Sequence, residues 1–252
     1  MQISARGRIV VWEGASLWVL AAARDEAGTD FHAHHAIQIT ISLDGGFVIA
    51  TPHQSMNGPV TAVAADTPHI LQTTGAVALL FVEPESPAGR AIAARFFANS
   101  SLAKIDAGAF VPLISILRDQ FAAGCSAAEL IATGREILAA VAVEQAPNLP
   151  DRRVRAIIDF VRANLDGPLT LGAAAASVNL SSSRARHLFV MDTGLPFKTF
   201  VLWQRLGRAV ELYAAGQSLT EAAHEAGFAD SAHLSRTFRK TFGIAASLLE
   251  VG

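Results

Sequence analysis

The chain has 252 residues, of which 51% are hydrophobic and 17% are charged, so it is long enough for two globular domains and too apolar to be disordered. No apolar run reaches the roughly 18 residues of a membrane span, and the first residues do not resemble an export signal. The single cysteine excludes an intrachain disulfide framework and a cysteine-based zinc site, so we expect a reducing compartment, the cytoplasm.

Charge is divided unevenly along the chain. The formal net charge is −2, but residues 1–150 alone carry −5 and residues 151–252 carry +3. An acidic half joined to a basic half indicates two separate functions. A balance of +3 is compatible with nucleic-acid binding, although domains without that ligand also reach it.

The first part of the chain has the pattern of short strands separated by turns. Residues 37–43 alternate apolar and polar side chains and stop at the Asp-Gly-Gly turn of residues 44–46. Further strand candidates are residues 47–50 and 77–82. Many short strands at this spacing predict a small antiparallel barrel or sandwich over residues 1–84.

Residues 85–146 have a helical period instead. Helices are predicted over residues 89–97, 110–123 and 127–144. They would cover the barrel or pair two subunits, since their apolar side chains suit either a core or a dimer interface. Breaker-rich residues 146–150 form the predicted boundary before an all-helical domain at residues 151–252. The predicted fold class is therefore α+β.

A helix-turn-helix pattern begins at Ser218, which forms a capping box with Glu221. Gly227 supplies a left-handed turn, and Asp230 or Ser231 starts the next helix. That helix has two opposite faces. One is a buried stripe of Leu234, Phe238 and Phe242. The other is small and basic, with Ala232, Ser235, Arg236, Arg239 and Lys240. Such a face suits the DNA major groove, because small residues permit close approach and arginine donates two hydrogen bonds to guanine.

The same pattern occurs earlier in the chain. A small-residue helix over residues 169–176 is followed by a turn and by Ser181, the predicted cap of a second recognition helix. The outward side chains of that helix are Ser182, Ser183, Arg186 and His187. A connecting helix over residues 197–215 would place the two recognition helices about 34 Å apart on one DNA face. Either unit alone could be an ordinary amphipathic hairpin, but two units that both end in Phe-x-x-x-x-Gly favour DNA binding.

These residues carry a family resemblance. The run from Gly227 to Gly243, with its His-Leu-Ser-Arg-Thr-Phe-Arg-Lys core, resembles the C-terminal signature of the AraC/XylS transcription regulators, and the resemblance covers residues 152–248. It implies base contacts from Ser183, Arg186 and His187 in the first unit and from Ser231, Ala232, Ser235 and Arg236 in the second. It also implies double-stranded promoter DNA and RNA polymerase as partners, and it leaves a homodimer open.

Histidines cluster in the N-terminal half. The spacing of His32, His34 and Gln38 resembles the first cupin motif, with Gln38 in place of its glutamate, and His69 fits a degenerate second motif. This resemblance implies a cupin-like sensor barrel. Three interpretations stay open: His32, His34 and His69 bind a divalent metal; these residues with His35 and Gln38 contact an organic effector; or the histidines are structural.

The sequence contains no recognisable nucleophile triad or phosphate-binding loop, so we expect no enzymatic activity. The favoured hypothesis is a transcription regulator that is controlled by a small-molecule or metal effector in the barrel. One alternative is a cupin-type metalloenzyme with a helical C-terminal interaction domain. The other is a helical module that never contacts DNA.

Overall fold

A computed structural model describes residues 5–22, 27–142 and 149–251. Part of the predicted boundary, residues 146–148, and the last two residues of the helix predicted up to residue 144 lie outside this described part. The backbone forms two compact units, one of Met1–Pro147 with Phe238–Gly252 and the other of Asn148–Thr237. The α+β class is confirmed, with strands in the first unit and helices throughout the second.

The strands of the first unit form two sheets. Their bounds are β1 (Ala5–Trp12), β2 (Ala15–Ala22), β3 (Ala27–Gly28), β4 (Ile37–Ser42), β5 (Phe47–Ala50), β6 (Ser55–Asn57), β7 (Val60–Val63), β8 (Ile70–Thr73), β9 (Ala76–Val82), β10 (Leu102–Lys104) and β11 (Leu249–Val251). The seven-stranded sheet has the order β10-β7-β4-β9-β2-β1-β11, and the four-stranded sheet has the order β3-β8-β5-β6. The pairing is antiparallel except between β1 and β11. The predicted strands β4, β5 and β9 are confirmed.

The two faces of the larger sheet have different surroundings, because successive side chains on a strand point to opposite sides. On one face, Leu17, Ile39 and Leu80 belong to a buried core. That core is shared with the helices α1 (Pro87–Phe96), α2 (Val111–Ala123) and α3 (Ala127–Ala142). The predicted helical segment therefore covers the sheet, and the apolar side chains weighed for a dimer interface pack in or against this core.

One element of this segment differs from the prediction. β10 lies between α1 and α2, where no strand was expected, and pairs with β7 through Leu102 and Val63. Leu102 is buried and Lys104 is exposed. An alternation of three residues is too short to give a recognisable period in the sequence.

The second unit is built from helices with polar side-chain caps. Their bounds are α4 (Arg152–Ala163), α5 (Leu171–Ser177), α6 (Ser182–Thr193), α7 (Phe197–Ala214), α8 (Leu219–Glu225) and α9 (Ser231–Phe242), the last of which continues into the first unit. Asp151, Ser181 and Ser218 accept hydrogen bonds from the first turns of α4, α6 and α8. Among the described helices, none has the length and hydrophobicity to cross a bilayer.

Gly227 makes the turn between α8 and α9 with φ +78°. A Cβ atom at this position would lie 2.6 Å from the Leu165 carbonyl oxygen and 2.8 Å from the Arg205 Nε. Arg205 itself donates to the Leu165 and Gly167 carbonyls. The turn therefore requires glycine both for its left-handed backbone and for this close approach.

The last residues of the chain do not remain with the helical domain expected at residues 151–252. The rings of Phe238 and Phe242 lie 6.0 and 4.8 Å from that of Trp18 on β2. β11 then pairs with β1. The buried stripe of α9 thus contributes to the core of the first unit, because its two phenylalanines find their aromatic partners on the large sheet.

Ser218→Ala is expected to lower the free energy of unfolding by about 1 kcal/mol. The Ser218 hydroxyl accepts from the Glu221 N–H at 3.2 Å, and the Glu221 carboxylate accepts from the Ser218 N–H at 2.9 Å. The substitution leaves the first turn of α8 without its cap. Urea unfolding monitored by circular dichroism measures the loss. Ser182→Ala, at an exposed position of α6, is the control and should change stability by less than about 0.5 kcal/mol.

Candidate DNA-binding helices and effector cavity

The first candidate recognition helix is α6, which buries Ala185, Leu188 and Phe189. Phe189 contacts the rings of Phe197 and Phe200 edge-on, at 5.6 and 5.1 Å. The opposite side of the helix is open to solvent. The predicted site residues Ser182, Ser183, Arg186 and His187 are all exposed there. The structure therefore brings these four side chains to one accessible face.

The second candidate helix is α9, whose N-terminus is capped by the Asp230 carboxylate through the His233 N–H at 2.6 Å. Leu234, Phe238 and Phe242 are buried, as their spacing predicts. The exposed predicted residues are Ala232, Arg236, Arg239 and Lys240. Ser231 and Ser235 are half-buried. The accessible part of this face is more basic than that of α6.

Arg239 has an ionic partner on the N-terminal side of the chain. Its Nη2 lies 3.0 Å from the Asp30 carboxylate. Both side chains are largely exposed, so the ion pair itself contributes at most about 1 kcal/mol. One cation of the predicted DNA-contacting face is therefore held by a carboxylate of the first unit.

A cavity of about 630 Å³, including its mouth, opens beside the second face of the large sheet. Its walls are mostly apolar. The lining residues are Trp18, Leu20, Gly28, Thr29, His32, Gln38, Leu71, Thr73, Val77, Leu79, Phe81, Phe242 and Ile244. Two predicted effector residues, His32 and Gln38, are among them. This lining suits a small, mainly apolar molecule with a few polar contacts.

The sequence did not reveal the parts played by Phe242 and Ile244. These residues follow the recognition face of α9 directly, yet they form part of the cavity wall. Their hydrophobicity predicted that both side chains are buried, but not which residues they contact. The position of Trp18 in a strand-like run was a clearer sign that it belongs to a sheet. The cavity itself was not predictable, because its walls come from both sheets and from Phe242 and Ile244.

The predicted histidine cluster forms where a backbone bridge joins His32 to His69. One ring nitrogen of each of His32, His34 and His69 lies within 4.8 Å of the others, and all three side chains are buried. Gln38 adjoins them, with its Oε1 3.0 Å from the His34 Nε2. Imidazole nitrogens and an amide oxygen are possible metal ligands, and they can also bind a polar group of an effector.

The surroundings keep this cluster neutral. Burial, assisted by the neighbouring imidazoles, lowers the pKa of His34 to about 3. Burial and the proximity of His32 lower the pKa of His69 to about 4. Burial also lowers the pKa of His32. Neutral imidazoles have a free lone pair, which a metal ion or a hydrogen-bond donor requires.

His35 does not join the cluster. Its Nδ1 lies 2.8 Å from an Asp66 oxygen and its Nε2 lies beside the Glu85 carboxylate. Burial opposes protonation, but the hydrogen bonds to both carboxylates outweigh it and raise the pKa of His35 to about 9. With both ring nitrogens engaged, His35 ties a loop to the start of α1 and is not part of the cavity wall.

The part of the chain that contains α6 and α9 is similar to known proteins. The family described as "Helix-turn-helix domain" matches residues 174–249, a range that contains α6 and α9. The HTH-type transcriptional regulator YpdC of Escherichia coli is 32% identical over 89 residues, which is 35% of this chain and 31% of that protein. The C-terminal region is an AraC-type helix-turn-helix domain. The resemblance seen in the sequence is thus confirmed.

The matches to the curated relatives each cover about a third of this chain. The HTH-type transcriptional regulator GbdR of Pseudomonas aeruginosa is 31% identical over 93 residues, which is 36% of this chain but only 25% of that protein. This chain therefore spans about a third or less of the length of these relatives.

The fold resembles a solved structure over nearly the whole chain. ToxT from Vibrio cholerae matches with a TM-score of 0.60 and 11% sequence identity, over 94% of this chain and 96% of that one. At this identity the match shows a common fold, in which a strand-rich part precedes a helical part.

Proposed function

We propose that the protein is a transcription regulator that binds promoter DNA through α6 and α9 and senses a small, mainly apolar effector in the cavity of the first unit. The observation that carries the proposal is the double role of α9. Its exposed face presents Arg236 and Lys240, while Phe242 at its end lines the cavity. An effector in the cavity would thus touch the helix that we expect to contact bases.

The exposed faces of the two helices support DNA recognition. Arg186 on α6 and Arg236 on α9 would donate bidentate hydrogen bonds to guanine, and Arg239 and Lys240 would neutralise phosphates. Where the regulator activates transcription, RNA polymerase would be its further partner. The named curated relatives are HTH-type transcriptional regulators, which supports this assignment of the AraC-type domain.

Control by the effector would act through the end of α9. The Asp30 carboxylate competes with DNA phosphates for Arg239. An effector that moves Phe242 or Ile244 would shift the population between a form in which Arg239 is held by Asp30 and a form in which it is free for DNA. An apolar effector is supported by the lining of the cavity, and one ToxT structure contains an unsaturated fatty acid.

The proposal is tested by mapping the genomic DNA that the protein binds and then measuring affinity for one recovered duplex. We expect affinity for that duplex to exceed affinity for a scrambled duplex by at least about 1,000-fold at physiological salt. Equal affinity for both duplexes would leave only non-specific binding and would contradict a sequence-specific regulator.

Leu79→Trp is expected to weaken binding of the apolar anionic dye 8-anilinonaphthalene-1-sulfonate at least about tenfold. Leu79 lies on β9 and points into the cavity, so a larger ring there occupies the space of the ligand. A fluorescence titration measures the affinity. The control is Val48→Trp, at an exposed position of β5. If both variants bind the dye like the parent protein, the cavity is not the binding site.

A further inference from the structure

The hydrogen bonds around the histidine cluster determine which ring nitrogens are protonated. Each Nδ1 lies 2.8 to 3.1 Å from a backbone carbonyl oxygen. The pairs are His32 with Asp30, His34 with Ala36 and His69 with Thr67. Because a carbonyl oxygen only accepts hydrogen bonds, Nδ1 carries the proton in all three rings. Each Nε2 is left with a lone pair and no proton.

Gln38 adds another acceptor to this group. Its Oε1 lies 3.0 Å from the His34 Nε2 and 3.3 Å from the His69 Nε2, while its amide nitrogen donates to Thr40 at 2.9 Å. Lone pairs therefore face one another in a buried site, which is unfavourable unless a donor or a cation lies between them. An amide turned by 180° would donate to both imidazoles, and we expect that arrangement in the ion-free protein.

We propose that His32, His34 and His69 bind a divalent transition-metal ion, with Zn²⁺ as the probe species, and that the Gln38 oxygen is its fourth protein ligand. Imidazole ligands suit zinc and its first-row neighbours. The hydrogen bonds from each Nδ1 to a carbonyl are the supporting contacts that orient metal-bound histidines in known sites. The two sequence segments that supply these ligands are held together by the bridge between His32 and His69.

The charge of the site indicates what else it binds. All four protein ligands are neutral, so the ion would keep its full double charge next to apolar walls, which is costly without an anion. His32 and Gln38 both line the cavity, so the ion would face its interior. The effector class that follows is a small carboxylate with an apolar body. This part rests on the proposed function, because it names the effector of the same cavity.

The metal site is tested on the full chain after treatment with a chelator. Calorimetric titration measures Zn²⁺ affinity, and the visible spectrum of bound Co²⁺ reports its coordination. His34→Gln and His69→Gln should each weaken Zn²⁺ binding at least about tenfold and alter the Co²⁺ spectrum. His53→Gln removes an exposed histidine of the same unit and should change neither quantity. A parent protein without Zn²⁺ binding, or a His53 variant as weak as the others, overturns the proposal.

Gln38→Glu is the second variant, because the histidine variants could fail to fold. It supplies the negative charge that the site lacks, so Zn²⁺ affinity should rise at least about tenfold, a gain of about 1.4 kcal/mol. An unchanged affinity in a folded variant would show that residue 38 does not contact the ion and would overturn the four-ligand site.

The anion is tested with two probes of equal chain length. Decanoate should shift the spectrum of the Co²⁺-loaded protein, whereas uncharged decanol should not. Equal shifts with both probes would overturn the carboxylate assignment. Binding of the metal-free protein to its recovered promoter duplex is measured separately, so a failure of the metal site is distinguishable from a failure of the proposed function.

Discussion

Phe242→Ala is expected to lower the free energy of unfolding of the first unit by about 3–5 kcal/mol. Phe242 is 7% exposed, and its ring lies 4.8 Å from that of Trp18 and 4.9 Å from that of Phe238. It also contacts the ring of Phe81 at 5.6 Å. Truncation removes a ring from this aromatic cluster and enlarges a cavity that already exists, so the surrounding side chains have few ways to collapse into the space.

Phe31→Ala is the matched control, since Phe31 belongs to the same unit but is 57% exposed. Its loss should change stability by less than about 0.5 kcal/mol. Urea unfolding followed by tryptophan fluorescence measures both variants, because Trp18 lies beside Phe242. If Phe242→Ala costs no more than Phe31→Ala, the end of α9 does not pack on the large sheet in solution.

Arg236→Ala is expected to lower affinity for the recovered promoter duplex about 10- to 100-fold, as the loss of a bidentate contact to guanine costs about 1–3 kcal/mol. Arg236 is exposed on the face of α9 that also carries Ala232 and Lys240. The preference for one base should weaken at the base pair that Arg236 contacts. The base preference at the other positions of the duplex should be unchanged. Fluorescence anisotropy with single-base variants of the duplex measures both effects.

Arg155→Ala removes the same charge from an exposed position of α4 and serves as the control. It should weaken binding by much less and leave base preference intact. We also expect Arg186→Ala to cost less than Arg236→Ala, because the accessible face of α6 has fewer cations. If Arg155→Ala and Arg236→Ala weaken binding equally, the effect is one of net charge, and α9 does not read bases.

Local signals in the sequence were enough to predict the helical elements. Ser181 and Ser218 mark helix starts because a hydroxyl can satisfy free N–H groups only a few residues away. Gly227 marks a turn because its left-handed backbone excludes most other residues. The AraC-type domain was recognisable for this reason: its caps, turns and buried stripes all lie within one short stretch of chain.

Non-local partners were not predictable in the same way. The spacing of Phe238 and Phe242 established that one face of α9 is buried, but not that it packs on Trp18, more than two hundred residues earlier in the chain. β11 was missed because a strand of three residues is defined by its partner β1, not by its own period. Backbone contacts group Phe238–Gly252 with the first unit for the same reason.

In the histidine cluster, the sequence predicted some of the contacts and missed others. The cupin-like spacing grouped His32, His34 and Gln38, and the structure brings His69 to them through a backbone bridge. That spacing left His35 as a candidate, but the His35 ring points away from the cluster. There it meets Asp66 and Glu85, whose positions depend on loops that the sequence pattern does not define.

The two faces of the large sheet also affect how this protein can evolve. On β9, Leu79 and Phe81 face the cavity, whereas Leu80 and Val82 belong to the core beneath the helices. Tolerance to substitution should therefore alternate from one residue to the next in a mutational scan. Selection could change ligand preference through every second position while the intervening positions preserve folding, so related proteins could acquire new signals without a new scaffold.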